Sequence, residues 1–273
     1  MTQAVLESFG GRGEPLLFAH ANGYPPGSYR ELFQALEQRF CISAMEHRPL
    51  WAGRQPPRKL NWTLFADDLL TLMQTRFDEP IWVMGHSMGG TVAALAAARQ
   101  PERFRGVVLL DPVLLQERFA LMNRVMPRSR IEKMPMIRRT LGRPEYFSSH
   151  EEAFEFYRGK RAFRGLCDTA LRHYVEAAKQ PVDDGRVQLR FSPAWEAAIY
   201  ASAPSVSRML KRLSVDMVAI RGRDSDTLNA TMWQRLQHWQ SGGRFAEVTG
   251  GHLFPLENPH DTAKAIEGLI FSP

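Results

Sequence analysis

Apolar residues fall along this chain in short runs rather than at alternating positions, at residues 16–19, 42–45, 81–84, 107–110 and 217–220, with Ser43 the one polar residue among them, and less clearly at 245–248, which Glu247 interrupts. Runs of this length fit strands that are covered on both faces, as those of a parallel sheet are. Between most of the runs the spacing changes to that of an amphipathic helix. Ser28 precedes residues 29–39, where Leu32, Phe33 and Leu36 share a face. Residues 62–76 place Phe65, Leu69, Leu72 and Met73 on one side, and residues 227–240 and 259–270 close the series. Strands alternating with helices predict the α/β class: a mostly parallel sheet with helices packed on both faces.

The alternation breaks once. From residue 113 to residue 213 only helical patterns are evident: Leu115, Phe119, Met122 and Met126 follow helical spacing. Ser149 with Glu152 three positions on reads as a capping box opening a helix, and Asp168 as a cap for another that Gln180-Pro181 would end. The expected organisation is a core from residues 1–112 and 214–273, with residues 113–213 inserted as a helical cap. Such a cap would cover the carboxyl edge of the sheet, where open parallel sheets bind ligands.

Composition adds limits. Hydrophobic residues make up 44% and charged residues 23% of the 273 positions, as in ordinary globular proteins. Residues 1–15 hold no apolar signal-like stretch and the two cysteines, Cys41 and Cys167, read as free thiols, so the expected compartment is the cytoplasm. The net charge of +6 is concentrated. Between Arg118 and Arg143 stand eight basic residues against the single acid Glu132. With no zinc spacing, RNA-binding signature or repeat beside it, nucleic acid is not the expected partner. A solvated surface is the default reading. An anionic carrier such as coenzyme A, or an anionic membrane surface, is the alternative.

Chemistry enters at Gly85-His86-Ser87-Met88-Gly89. Gly-x-Ser-x-Gly arises by chance in about one chain of this length in ten, so its context has to decide. Here it follows an expected strand and precedes a helix built of Gly90, Ala93, Ala94, Ala96 and Ala97, small enough to pack close to a sheet. That is the setting of a nucleophile elbow, which raises a serine hydroxyl above the sheet edge at a helix start. A serine needs a base. His252, in EVTGGHLFPLENP after the last strand, would reach the same edge, whereas His20 and His86 read as loop braces. For the acid that orients the base, Asp226 in RGRDSDTLN is preferred, with Asp224 and then Asp111 at the end of GVVLLDP as alternatives. The oxyanion donors expected are the backbone N–H groups of Met88 and of Asn22, with Ala21 as the alternative to Asn22. His20, Phe119, Met122, Trp195 and Phe254 are candidate pocket residues, and no metal or organic cofactor is implied.

Taken together, the His20-x-Asn22-Gly23 loop, Gly-His-Ser-Met-Gly-Gly, Arg-Gly-x-x-Ser-Asp and Gly-Gly-His, in this order, resemble the α/β-hydrolase superfamily over nearly the whole chain. The resemblance implies a sheet of seven or eight strands and a Ser87-Asp226-His252 triad. It departs from the family where Ala21 replaces a frequent glycine, and in the short stretch before the first long strand. Serine at the elbow speaks against the haloalkane dehalogenases and epoxide hydrolases of the same fold. The activity expected is that of a serine hydrolase cleaving an ester or thioester of a small or acyl-chain substrate through an acyl-enzyme. The alternatives are carbon–carbon bond hydrolysis, a lyase or acyl-transfer reaction by the same triad, and a ligand receptor without turnover.

Overall fold

Strand β4 (Ile81–His86) is buried at all six positions, and the rest of the chain is arranged around it. The structure, a computed structural model, describes residues 4–117, 126, 128–131 and 133–271. The candidate residues Phe119 and Met122 lie outside the described residues. Seven strands form the sheet in the order β1-β3-β2-β4-β5-β9-β10. They are β1 (Leu6–Gly11), β2 (Glu14–Ala19), β3 (Phe40–Met45), β4, β5 (Phe104–Leu110), β9 (Asp216–Gly222) and β10 (Arg244–Val248). All pairings are parallel except that of β1 with β3.

The apolar runs follow from this arrangement. Successive side chains on a strand point to opposite faces, and both faces are covered. Leu16, Phe18, Trp82, Met84, Val108 and Leu110 join one core with α1 (Arg30–Leu36) and α9 (Pro259–Phe271). Leu17, Ile81, Val83, Val107 and Leu109 join the other with α2 (Thr63–Arg76), α3 (Met88–Ala97) and α8 (Ala230–Trp239). Each fully buried side chain of this size contributes about 1.5–3 kcal/mol relative to exposure.

Strand β1 has no counterpart in the sequence reading. Only Leu6 and Phe9 are large and apolar in LESFGG, and they pack on opposite cores, so this edge strand shows no continuous apolar run. Between β5 and β9 the chain forms α4 (Pro135–Leu141), α5 (His150–Arg158), α6 (Asp168–Ala178) and α7 (Pro193–Ala201). Ser149 caps α5 by accepting the Glu152 N–H at 3.1 Å. This stretch is not wholly helical. It also holds a three-stranded antiparallel sheet of β6 (Tyr146–Phe147), β7 (Lys179–Pro181) and β8 (Val187–Leu189), ordered β6-β8-β7. Strands of two or three residues are too short to show a periodicity; α6 ends at Ala178, and Gln180-Pro181 are themselves part of β7.

Helix α3 lies unusually close to the sheet. A Cβ on Gly89 would stand 1.9 Å from the Ala19 carbonyl oxygen, so only glycine permits this approach. Gly268, on the exposed side of α9, has nothing within 4 Å of such an atom. Gly89→Ala should therefore lower the unfolding free energy by about 2–3 kcal/mol through overpacking. Gly268→Ala should raise it by about 0.5–1 kcal/mol through helix propensity. Urea denaturation of the two variants checks both signs.

Candidate active site

Ser87 sits where β4 turns into α3, with φ 55° and ψ −116°. A non-glycine residue at positive φ is strained, and several bonds hold this one in place. Its N–H donates to the Leu110 carbonyl at 2.9 Å, and its carbonyl accepts from Thr91 N–H at 3.2 Å and Val113 N–H at 3.4 Å. The hydroxyl is thereby presented at the carboxyl edge, 2.9 Å from His252 Nε2.

The other ring nitrogen of His252 identifies its partner. Nδ1 lies 2.6 Å from Asp111 Oδ2, and the Asp111 side chain is fully buried. Asp111 also accepts the Gly222 N–H at 3.2 Å on Oδ1 and the Ser225 hydroxyl at 2.5 Å on Oδ2. A carboxylate accepting on both oxygens fixes the Nδ1–H tautomer of His252, which leaves the Nε2 lone pair for the Ser87 proton.

The preference for Asp226 is therefore corrected. Asp224 and Asp226 are both exposed, and neither carboxylate is hydrogen-bonded to His252. The loop after β9 is folded by Ser225, whose Oγ accepts Thr227 N–H and Leu228 N–H, each at 3.2 Å, and whose own N–H donates to Gly222 at 3.0 Å. That turn points Ser225 inward and its two aspartate neighbours outward. Asp111 is better placed because β5 adjoins β4, with Leu110 in register with His86. The pairing of the two strand ends was the signal available, and Asp-Pro, read as a turn, obscured it.

Around Ser87, His252 and Asp111, buried imidazoles act as struts. Ala21 N–H donates to the Tyr29 hydroxyl at 3.3 Å, Tyr29 donates to His86 Nδ1 at 2.7 Å, and His86 Nε2–H donates to the His252 carbonyl at 2.8 Å. Burial holds His86 well below the ordinary histidine pKa, in the neutral form this chain of bonds requires. His20 is fully buried, and burial lowers its pKa to about 4. Its Nδ1–H donates to the Ala21 carbonyl at 2.8 Å and its Nε2 accepts His47 N–H at 3.1 Å. It braces the loop and offers no polar group to a pocket.

Two other pocket candidates are likewise placed elsewhere. Trp195 is buried in the core, with its indole N–H on the Gly53 carbonyl at 2.8 Å. Phe254 is fully buried in the opposite core. Of the expected oxyanion donors, Met88 is the first residue of α3, so its N–H has no carbonyl within its own helix. Ala21 N–H is occupied by Tyr29, which favours Asn22 in that loop. Among the described residues no three His, Cys, Asp or Glu side chains gather as a metal site, and no helix is long and apolar enough to cross a membrane.

A family model described as the alpha/beta hydrolase family matches residues 16–265. The 2-(acetamidomethylene)succinate hydrolase of Mesorhizobium japonicum is 23% identical over 261 residues, which cover 95% of this chain and 89% of that protein. The monoglyceride lipase of Rattus norvegicus is 32% identical over 113 residues, 38% of this chain, so the match spans only 37% of the lipase. Among solved structures, that of E-2-(acetamidomethylene)succinate hydrolase superposes with a TM-score of 0.81 at 22% identity, covering 98% of this chain and 94% of that one. A thioesterase domain from the curacin biosynthetic pathway gives 0.72 at 19% identity, covering 96% and 94%. These structural likenesses speak for the fold.

The acid is testable by substitution. Asp111→Asn should slow modification of Ser87 by a fluorophosphonate by about 10³–10⁴-fold, by analogy with triads whose histidine is left in the wrong tautomer. Asp226→Asn should react at the rate of the unaltered protein. Mass-spectrometric time courses distinguish them, and the reverse ranking would return the role to the loop after β9.

Proposed function

The chain belongs to the alpha/beta hydrolase family, and from that premise we propose that it is a serine hydrolase cleaving a carboxylic ester or thioester through a covalent acyl-enzyme. The observation that carries this reading is the continuous hydrogen-bonded series Ser87, His252, Asp111, with the serine held in a strained turn at a helix start.

His252 takes the Ser87 proton through Nε2 as Oγ attacks the substrate carbonyl carbon. Asp111 stabilises the imidazolium so formed and keeps the ring oriented. The Met88 and Asn22 N–H groups receive the developing oxyanion. Collapse of the tetrahedral intermediate expels the alcohol or thiol, which takes its proton from His252. Water, deprotonated by the same imidazole, then releases the acid and restores Ser87. The stretch between β5 and β9 serves as a cap that selects the acyl group. Among the described basic positions of residues 118–143, Arg130, Lys133, Arg138 and Arg139 are exposed, which supports a solvated surface there.

The hydrolases with which this chain compares act, by name, on a monoglyceride and on a succinate derivative. The monoglyceride is an ester and fits this reading, whereas the succinate derivative named is an acetamide. In the test, a fluorophosphonate should leave one adduct, on Ser87, and Ser87→Ala should take up none. A panel of p-nitrophenyl esters and acyl thioesters of graded length should then be hydrolysed by the unaltered protein, and at least about 10³-fold more slowly by Ser87→Ala. A folded protein that forms no adduct and turns over no ester, yet binds ligand, would be a receptor.

A further inference from the structure

A second group of ionisable side chains lies in the segment between β5 and β9, separate from the triad. Arg143, unlike the exposed arginines before it, is turned inward. Its Nη1 pairs with the Glu196 carboxylate, and its Nη2 donates to the Tyr157 and Tyr174 hydroxyls at 3.0 and 3.1 Å. Beside it stands Lys179, only 3% exposed. Its ammonium lies over the rings of Tyr157, Tyr174 and Phe147, at 4.4, 5.3 and 5.6 Å from their centroids. No oxygen among the described residues accepts from it.

The charges in this enclosure do not balance: two cations meet one carboxylate. Burying an ammonium without an acceptor is costly, and aromatic faces return only part of that cost. The consequence is visible in the groups themselves. Burial, reinforced by Arg143, lowers the Lys179 pKa to about 7, and burial raises that of Glu196.

The cluster also has a definite position. The Glu196 carbonyl accepts from Asn22 Nδ2 at 3.1 Å, and a Cβ on Gly23 would lie 3.3 Å from the Glu196 carboxylate. The Tyr24 ring packs at 5.2 Å on that of Tyr174. Residues 22–24 are the loop whose backbone is proposed to hold the oxyanion, and Asn22 Oδ1 is itself buried without a partner. The uncompensated ammonium therefore belongs to a cluster packed on the substrate loop.

We infer that Lys179, supported by Arg143, binds a carboxylate carried on the acyl part of the substrate, so that the preferred substrate is a half-ester or half-thioester of a dicarboxylic acid. One negative charge completes the balance. A carboxylate supplies one, whereas a phosphate dianion would leave an excess among buried rings. The location of the reacting carbonyl rests on the hydrolase reading above; the carboxylate site itself does not.

Binding is measured first, by calorimetry on Ser87→Ala, with monomethyl glutarate against neutral dimethyl glutarate and inorganic phosphate. Monomethyl glutarate should bind at least about tenfold more tightly than either, as for a hydrogen bond to a charged group, and Lys179→Met and Lys179→Gln in that background should each remove the advantage. Affinity should also fall as pH rises above about 7, where Lys179 loses its proton in the empty protein. Of the groups facing it, Arg143 stays charged and Tyr174 neutral. Glu196 works in the same direction, repelling the ligand as it ionises. The pH series needs no substitution at Lys179, so it stands even if those variants fail to fold.

Turnover is measured next: kcat/KM for mono-p-nitrophenyl glutarate should exceed that for p-nitrophenyl pentanoate by about tenfold or more, and Lys179→Met should collapse the ratio. Equal binding of the neutral diester, equal or tighter binding of phosphate, or pH-independent affinity would overturn the carboxylate site. Ester hydrolysis without any anionic preference would overturn it too and leave the hydrolase reading intact. Carboxylate binding with no hydrolysis of any ester would do the opposite.

Discussion

A buried carboxylate can be kept in a protein interior only if donors meet it, and in this fold the donors that meet Asp111 come from the ends of two other strands. The acid extends β5, Gly222 ends β9, Ser225 belongs to the loop after β9, and His252 to the loop after β10. An unpaired carboxylate in this position would cost several kcal/mol. The sheet therefore closes favourably only when these loops are in register with one another, and that same register sets His252 against Ser87. The positive φ of both Ser87 and Asp111 is the local cost of aiming two adjacent strand ends at one histidine.

The opposite side of the site is fixed by neutral groups. Tyr29 accepts from the Ala21 loop and donates to His86, and His86 donates to the main chain of His252. Each member of this relay has to donate on one side and accept on the other, which an imidazolium cannot do. Burial of His86 thus does more than fill space: by disfavouring the cation it keeps the relay intact. The loop proposed to hold the oxyanion and the histidine proposed as base are joined through side chains that touch no substrate. Motion of one is resisted by the other.

Much of this could be read in the sequence, for identifiable reasons. Runs such as residues 81–84 and 107–110 are strands because a parallel sheet buries both faces. The elbow was legible because a tight strand–helix turn needs Gly85 and Gly89 around the serine. Asp111 was legible only as an alternative, because RGRDSDTLN offers two aspartates at the expected place and the residue that faces inward there is Ser225, between them. The edge strand Leu6–Gly11 and the small sheet β6-β8-β7 left no trace, since two to six half-polar residues carry no readable period. The Arg143, Lys179 and Glu196 cluster was hidden for a different reason. Its members lie on separate elements without motif spacing, and Arg143 sits in a basic stretch where Arg130, Lys133, Arg138 and Arg139 face solvent.

Buried charge is handled in two contrasting ways in this molecule. Asp111 is matched in the empty protein by an imidazole N–H, a hydroxyl and a main-chain N–H, and so belongs to the frame whether or not anything is bound. Lys179 is enclosed as completely, yet it has rings and a second cation for neighbours. Packing alone would be served as well by methionine, which fills the same volume without desolvating a charge. An ammonium held there at a cost to the folded state makes physical sense if the missing anion arrives with the ligand. The selectivity inferred for the site is thus the counterpart of a charge that the fold itself leaves unanswered.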